Sequence, residues 1–183
     1  MTNPVDVERN DLLAELAATR ATLLRAARDL TDEQAAQSPT VSALCVGGLV
    51  KHVTSMERSW LRFIVEGPAV LSFDLPEGVS WTDIMAGTAR EIPQWMIDRD
   101  NEFRLLPGES LDGVLARYQE VATRTDELVA NLPDLALSHA LPPAPWQEAG
   151  TVRSARAVLM HVIAETAQHA GHAKLIRASI EAA

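Results

Sequence analysis

The C-terminal part of the chain holds the residues best suited to bind a metal ion. The segment HVIAETAQHAGHAK, residues 161–174, contains three of the five histidines together with a glutamate. A helix turns by about 100° per residue, so a single face would carry His161, Glu165, His169 and His172. Imidazole nitrogens and carboxylate oxygens are ligands of zinc and related divalent ions. The segment therefore indicates either a metal site or a polar stripe on a helix.

A single ion cannot bind all four side chains, because the helical rise places residues 161 and 172 about 16 Å apart along the axis. Only residues one turn apart can share an ion, which leaves three pairs: His161 with Glu165, Glu165 with His169, or His169 with His172. A further ligand must come from another element, and His52 is the candidate, since it lies on the apolar face of a second predicted helix. Spacing alone also allows these histidines to be buried residues that hydrogen-bond to a carboxylate.

Four amphipathic helices are predicted where apolar residues recur at intervals of three and four. They cover residues 5–30 and 46–66, a segment that begins after Ser110, and a segment that begins near Ser154 and runs almost to the C-terminus. A capping-box pattern at Thr31 predicts a short additional helical turn. The sequence therefore predicts an all-α fold, a four-helix bundle that forms a single domain over residues 1–183.

Two long connections, residues 67–109 and 132–151, are predicted to be irregular because they are rich in proline. Structureless connections longer than about 12–15 residues are uncommon unless they bind something or are disordered. Their tryptophans argue against disorder. We expect these rings to pack the connections onto the bundle, and a direct contact of Trp81 and Trp146 with a ligand is the alternative.

The composition excludes several classes of partner. Acidic residues outnumber basic ones by 25 to 16 and the net charge is −9, which disfavours nucleic acid and anionic membrane surfaces. No apolar run approaches the roughly 20 residues that span a bilayer, and no signal-peptide pattern is present. The lone Cys45 cannot form an intrachain disulfide and is predicted to be an inert small hydrophobe. We expect a soluble, cytoplasmic protein.

Three segments carry a resemblance to a known family: VGGLVKHVTSMERSW (46–60), FRLLPGESLDGVLARY (103–118) and VLMHVIAETAQHAGHAKLIR (158–177). The chain resembles the DinB-like four-helix metalloprotein superfamily and, within it, the mycothiol transferase branch, which is related to mycothiol-dependent maleylpyruvate isomerase. The resemblance implies one metal-ligating histidine on the second helix and two ligands one turn apart on the last. By motif these are His52, Glu165 and His169, although many relatives have histidine where this chain has Glu165.

The resemblance implies a divalent-metal-dependent transferase that activates a low-molecular-weight thiol, mycothiol, as a metal-bound thiolate for attack on an electrophilic small molecule. Three protein ligands leave a coordination position open, as in catalytic zinc sites, and a cation stabilises thiolate over thiol. We expect zinc, with nickel, iron and manganese as alternatives. His172 is a candidate for proton handling or for supporting a ligand, with a helix residue that hydrogen-bonds to a carbonyl as the alternative. Trp81 and Trp146 are candidates for the wall of the thiol pocket.

Other interpretations stay open. A mycothiol-dependent isomerase of the maleylpyruvate type would use the same site. A non-catalytic metal-binding stress protein would hold the ion in a closed site, and a plain helical bundle would use the same residues as a buried polar network. Because bundles of this family often pair through helices, the resemblance also implies a homodimer.

Overall fold

The computed structural model describes residues 4–71 and 73–182. In this part of the chain the elements follow in the order α1 (Pro4–Ala27), α2 (Asp32–Ala36), α3 (Val46–Glu66), a 3-10 turn (Pro68–Leu71), α4 (Trp81–Ala86), α5 (Gln94–Glu102), α6 (Leu111–Asn131), β1 (Ser138–Ala140), β2 (Val152–Ser154) and α7 (Ala155–Glu181). None of these helices has the length and the apolar character that a membrane span needs.

The four long helices α1, α3, α6 and α7 form a bundle around one apolar core, which confirms the predicted all-α bundle. Helix α1 packs along α7, and α3 packs against both α6 and α7. Leucine and valine at helical spacing fill the centre, and each such side chain contributes about 1.5–3 kcal/mol when it is fully buried. The core includes Leu16, Leu23, Leu49, Val53, Phe63, Tyr118, Leu159, Val162 and Ile176.

Hydroxyl side chains begin the helices where the sequence predicts them. Thr31 closes a capping box at α2, and the side chains of Ser110 and Ser154 accept backbone hydrogen bonds at the starts of α6 and α7. Each cap of this kind contributes about 1 kcal/mol. Helix α1 ends at Ala27, before the predicted residue 30, because Asp29 adopts a left-handed conformation with φ of 60° that ends a right-handed helix.

The prediction that residues 67–109 form an irregular connection is wrong. This segment contains the 3-10 turn and the short helices α4 and α5. None of these three elements has a fully buried residue. The proline and glycine residues that suggested irregularity are helix boundaries: Pro93 precedes the first residue of α5, and Gly87, with φ of 67°, ends α4. Neither helix is long enough to give a clear apolar period.

The second connection is mostly irregular, as predicted, but β1 lies within it and β2 follows directly after it. Strands β1 and β2 pair antiparallel, with His139 opposite Arg153. The tryptophans of the two connections pack against one another rather than into the bundle core. Trp81 lies 5.1 Å from Trp146 and 6.0 Å from Trp95 between ring centroids, and Phe73 lies 5.2 Å from both Trp95 and Trp146. This aromatic cluster joins the connections to each other.

A buried ion pair crosses the bundle between α1 and α3. Glu57 is fully buried and Arg20 is 5% exposed, and the Arg20 guanidinium donates to both carboxylate oxygens of Glu57. Thr125 of α6 donates to Glu57 at 2.6 Å, and Arg20 also donates to Asp126 at 2.8 Å. Buried charges persist only when they are paired and hydrogen-bonded, so this network fixes three helices relative to one another.

Candidate metal centre

Helices α3 and α7 bring the three residues assigned by motif together. One ligand atom from each of His52, Glu165 and His169 lies within 4.8 Å of the others. The two histidines are buried and Glu165 is half-buried. Glu165 and His169 are one helical turn apart, and His169 Nε2 lies 3.6 Å from Glu165 Oε2. We call these three residues the ligand set, because their donor atoms could hold a metal ion.

The chemistry of the ligand set fits a divalent cation. His169 is 8% exposed, and its Nδ1 has no hydrogen-bond partner among the described residues. Burial, together with the neighbouring His52, lowers the pKa of His169 to about 4. The ring is therefore neutral at neutral pH and keeps the lone pair that a ligand needs. Two imidazoles and one carboxylate form a donor set that is common for zinc and admissible for nickel, iron and manganese.

Two residues that the sequence did not predict hold the His52 ring. The Nδ1 atom of His52 lies 3.2 Å from Oε2 of Glu102, the last residue of α5. The Phe103 ring stacks on the His52 ring with centroids 4.1 Å apart. Burial raises the pKa of Glu102, but hydrogen bonds from His52 and Ser55 outweigh it and hold that pKa below its usual value. Glu102 is therefore an ionised partner for His52.

Glycine in α3 allows the end of α5 to come this close. A Cβ atom on Gly48 would lie 2.0 Å from the carbonyl oxygen of Phe103, so a larger residue would push α5 away. Lys51 holds the same segment, because its Nζ donates to the carbonyl oxygens of Asn101 at 3.1 Å and Arg104 at 2.8 Å. Gly48 lies in the first turn of α3, and the glycine pair at positions 47 and 48 is the local sequence signal that could have indicated a close backbone approach here.

The other histidines have different surroundings. His172 lies with its ring centroid 5.7 Å from that of His169, and its Nδ1 is buried without a hydrogen-bond partner among the described residues. His161 packs edge-to-face on Trp60 at 4.9 Å. His139 hydrogen-bonds through Nε2 to the carbonyl oxygen of Ile64 near the end of α3. Of the three pairs left open by spacing, Glu165 with His169 is the one that a third ligand joins within the described part of the chain.

A cavity of about 620 Å³ opens beside Glu165 and Glu102. Trp146 lines it and is 56% exposed. Trp81, the other tryptophan predicted for a thiol pocket, does not line the cavity and packs behind Trp146. The wall combines aromatic rings from both connections with polar groups of α5 and α7. The residues that line the cavity include Trp60, Phe73, Trp95, Asp98, Arg99 and His161.

Comparison with protein-family models matches residues 11–182 to the family described as Mycothiol-S-transferase. The matched range includes all three residues of the ligand set and both helices that carry them. No match was found among curated proteins or among solved structures.

Proposed function

The chain belongs to the mycothiol S-transferase family, a DinB-like branch, and from this we propose that it is a divalent-metal-dependent transferase that joins a low-molecular-weight thiol to an electrophilic small molecule. The observation that carries the proposal is the convergence of His52, Glu165 and His169 beside a cavity of about 620 Å³. Mycothiol is the thiol that the family description indicates, and zinc is the proposed metal. The homodimer, the single-domain organisation and the cytoplasmic location stay predictions.

The ligand set would hold the metal, and its donors suit that task. A divalent ion in this position would lower the pKa of a thiol that reaches its open coordination site, so that thiolate forms at neutral pH. His169 contributes a neutral imidazole, since its pKa is lowered to about 4. Glu165 contributes a carboxylate from the preceding turn. His52 contributes the nitrogen that faces away from Glu102.

The remaining residues would bind substrate and accept the proton. Rings of the cavity wall, Trp146 among them, offer apolar faces to an electrophile and exclude water from it. His172 is the proposed proton-handling residue, because its ring centroid lies 5.7 Å from that of His169 and its Nδ1 has no hydrogen-bond partner among the described residues. A cavity beside the ligand set favours a catalytic site over the closed coordination of a structural one.

A conjugation assay tests the proposal. Chlorodinitrobenzene is mixed with mycothiol and the zinc-loaded protein; a carbon–sulfur bond forms, chloride leaves, and the thiol proton passes by way of His172 to water. We expect the rate of thioether formation to exceed that of thiol and electrophile alone and to fall when a chelator removes the metal. Metal-loaded protein that gives no rate above the uncatalysed reaction, with this electrophile and with alkyl halides, would overturn the transferase proposal and favour the non-catalytic alternative.

A further inference from the structure

The last residue of α5 makes a direct contact with a proposed metal ligand. Glu102 Oε2 lies 3.2 Å from His52 Nδ1, in a setting where the His52 side chain is 1% exposed and the Glu102 side chain 22% exposed. Glu102 itself is not part of the ligand set, whose donor atoms come only from His52, Glu165 and His169. Glu102 would therefore contact the ligand His52 and not the metal ion itself.

We propose that Glu102 is a positioning residue that fixes the tautomer and the orientation of His52, so that its Nε2 faces Glu165 and His169. The proposal rests on the metal site of the proposed function. A neutral imidazole has one nitrogen that donates and one that accepts. The Glu102 oxygen 3.2 Å from Nδ1 accepts a hydrogen bond from the ring, so this contact places the hydrogen of His52 on Nδ1 and the lone pair on Nε2.

The orientation of the ring is fixed from a second direction. Phe103, adjacent to Glu102 in the chain, stacks on the His52 ring at 4.1 Å and with an angle of 25° between the ring planes. The hydrogen bond constrains the ring within its plane, and the stack prevents it from tilting. Ligating histidines commonly donate their second N–H to a carboxylate, and loss of such a partner typically costs about 10- to 100-fold in metal affinity.

Both contacts to the His52 ring come from adjacent residues at the end of α5, Glu102 and Phe103. The carbonyl oxygen of Phe103 lies against Gly48, and Lys51 donates to the carbonyl oxygens of Asn101 and Arg104 on either side of it. One turn of α3, from Gly48 to His52, therefore holds the end of α5 in place. The same turn carries the His52 ring that Glu102 contacts. Helix α5 has no fully buried residue, and we assign it the role of positioning Glu102 beside His52.

The test measures zinc affinity by competition with a chromophoric chelator in the wild-type protein and in Glu102→Ala, Glu102→Gln and Asp100→Ala. We expect Glu102→Ala to bind zinc about 10- to 100-fold more weakly. Glu102→Gln should lose less, since its amide oxygen can still accept the hydrogen bond without the charge. Asp100→Ala is the matched control: it removes an equal charge from the same helix, at a side chain that is exposed and paired with Arg104.

A second readout needs no metal and separates this proposal from the proposed function. Long-range proton–nitrogen NMR of the metal-free protein should show the His52 ring protonated at Nδ1, and Glu102→Gln or Glu102→Ala should shift it towards a mixture of tautomers. Zinc affinity and tautomer that are both unchanged in a folded Glu102 variant would overturn the role of Glu102. Zinc binding by the wild type without any thiol conjugation would overturn the proposed function and leave the Glu102 test intact.

Discussion

The backbone of Phe103 lies so close to Gly48 that a Cβ atom on Gly48 would sit 2.0 Å from the Phe103 carbonyl oxygen. This contact joins the end of α5 to the same face of α3 that carries His52. Glu102 and Phe103 reach the His52 ring only because the two backbones approach in this way. Gly48 therefore determines the surroundings of His52, a proposed metal ligand.

Gly48→Ala should destabilise the protein, although alanine is the better helix former. The clash with the Phe103 carbonyl requires α5 to move, and overpacking of this kind costs about 1–3 kcal/mol. Urea unfolding measures the loss, and zinc affinity should fall with it because His52 loses its two partners. Gly171→Ala is the control: it lies in α7, its Cβ would meet nothing within 4 Å, and it should gain about 1 kcal/mol. Equal stability of the two variants would contradict the account.

Substitutions of Glu165 should separate ligand chemistry from charge. Glu165→Ala removes a donor from the ligand set, so zinc affinity should fall by at least about 100-fold, more than for loss of a supporting residue. Glu165→His should retain most of the affinity, because imidazole is an equivalent donor for zinc. Chelator competition gives both values. Equal zinc affinity in Glu165→Ala and wild type would exclude Glu165 as a ligand.

The two tryptophans predicted for a thiol pocket should now behave differently. Trp146 lines the cavity and is 56% exposed, whereas Trp81 does not line it and packs against the rings of Trp95 and Trp146. Trp146→Ala should raise KM for the electrophile or the thiol by about 2- to 10-fold, the worth of one aromatic contact, with little change in Tm. Trp81→Ala should change KM less. A Trp146→Ala variant with lower Tm and unchanged KM would assign this ring to folding alone.

Breaking the buried ion pair should cost more stability than replacing it. Glu57→Ala removes the buried carboxylate and leaves the buried Arg20 guanidinium beside the half-exposed Asp126, and the expected loss is about 3 kcal/mol of unfolding free energy. The double variant Arg20→Met/Glu57→Leu should recover most of that loss, because apolar side chains of similar volume avoid the desolvation cost. Urea unfolding of the metal-free protein compares them. A double variant as unstable as Glu57→Ala would show that the pair is needed for specific packing.

The sequence predicts what depends on local spacing. The caps at Ser110 and Ser154 follow from the residue type, and helical periodicity places Glu165 and His169 one turn apart on the inner face of α7. Family resemblance, rather than spacing, selected these two with His52 from the three pairs. The structure then brings the three together.

What the sequence did not predict depends on contacts between distant segments. Glu102 lies 50 positions from His52, and it ends a helix too short to show an apolar period. Glu57 lies beside Met56 in an amphipathic pattern that also fits a solvated side chain, and only its contact with Arg20 across the bundle explains its burial. Gly48 is the one local signal for the close approach of α5, and a glycine by itself does not identify what approaches it.

The central claim is that His52, Glu165 and His169 bind one divalent ion. Elemental analysis of the purified protein, with His52→Ala, Glu165→Ala and the charge-matched surface variant Asp100→Ala in parallel, tests it most directly. The account predicts close to a single metal ion per chain in the wild type and in Asp100→Ala, and a large loss of metal in both ligand variants while they remain folded. Metal content that is unchanged in folded His52→Ala and Glu165→Ala, or a wild-type chain that takes up no zinc, nickel, iron or manganese, would contradict it.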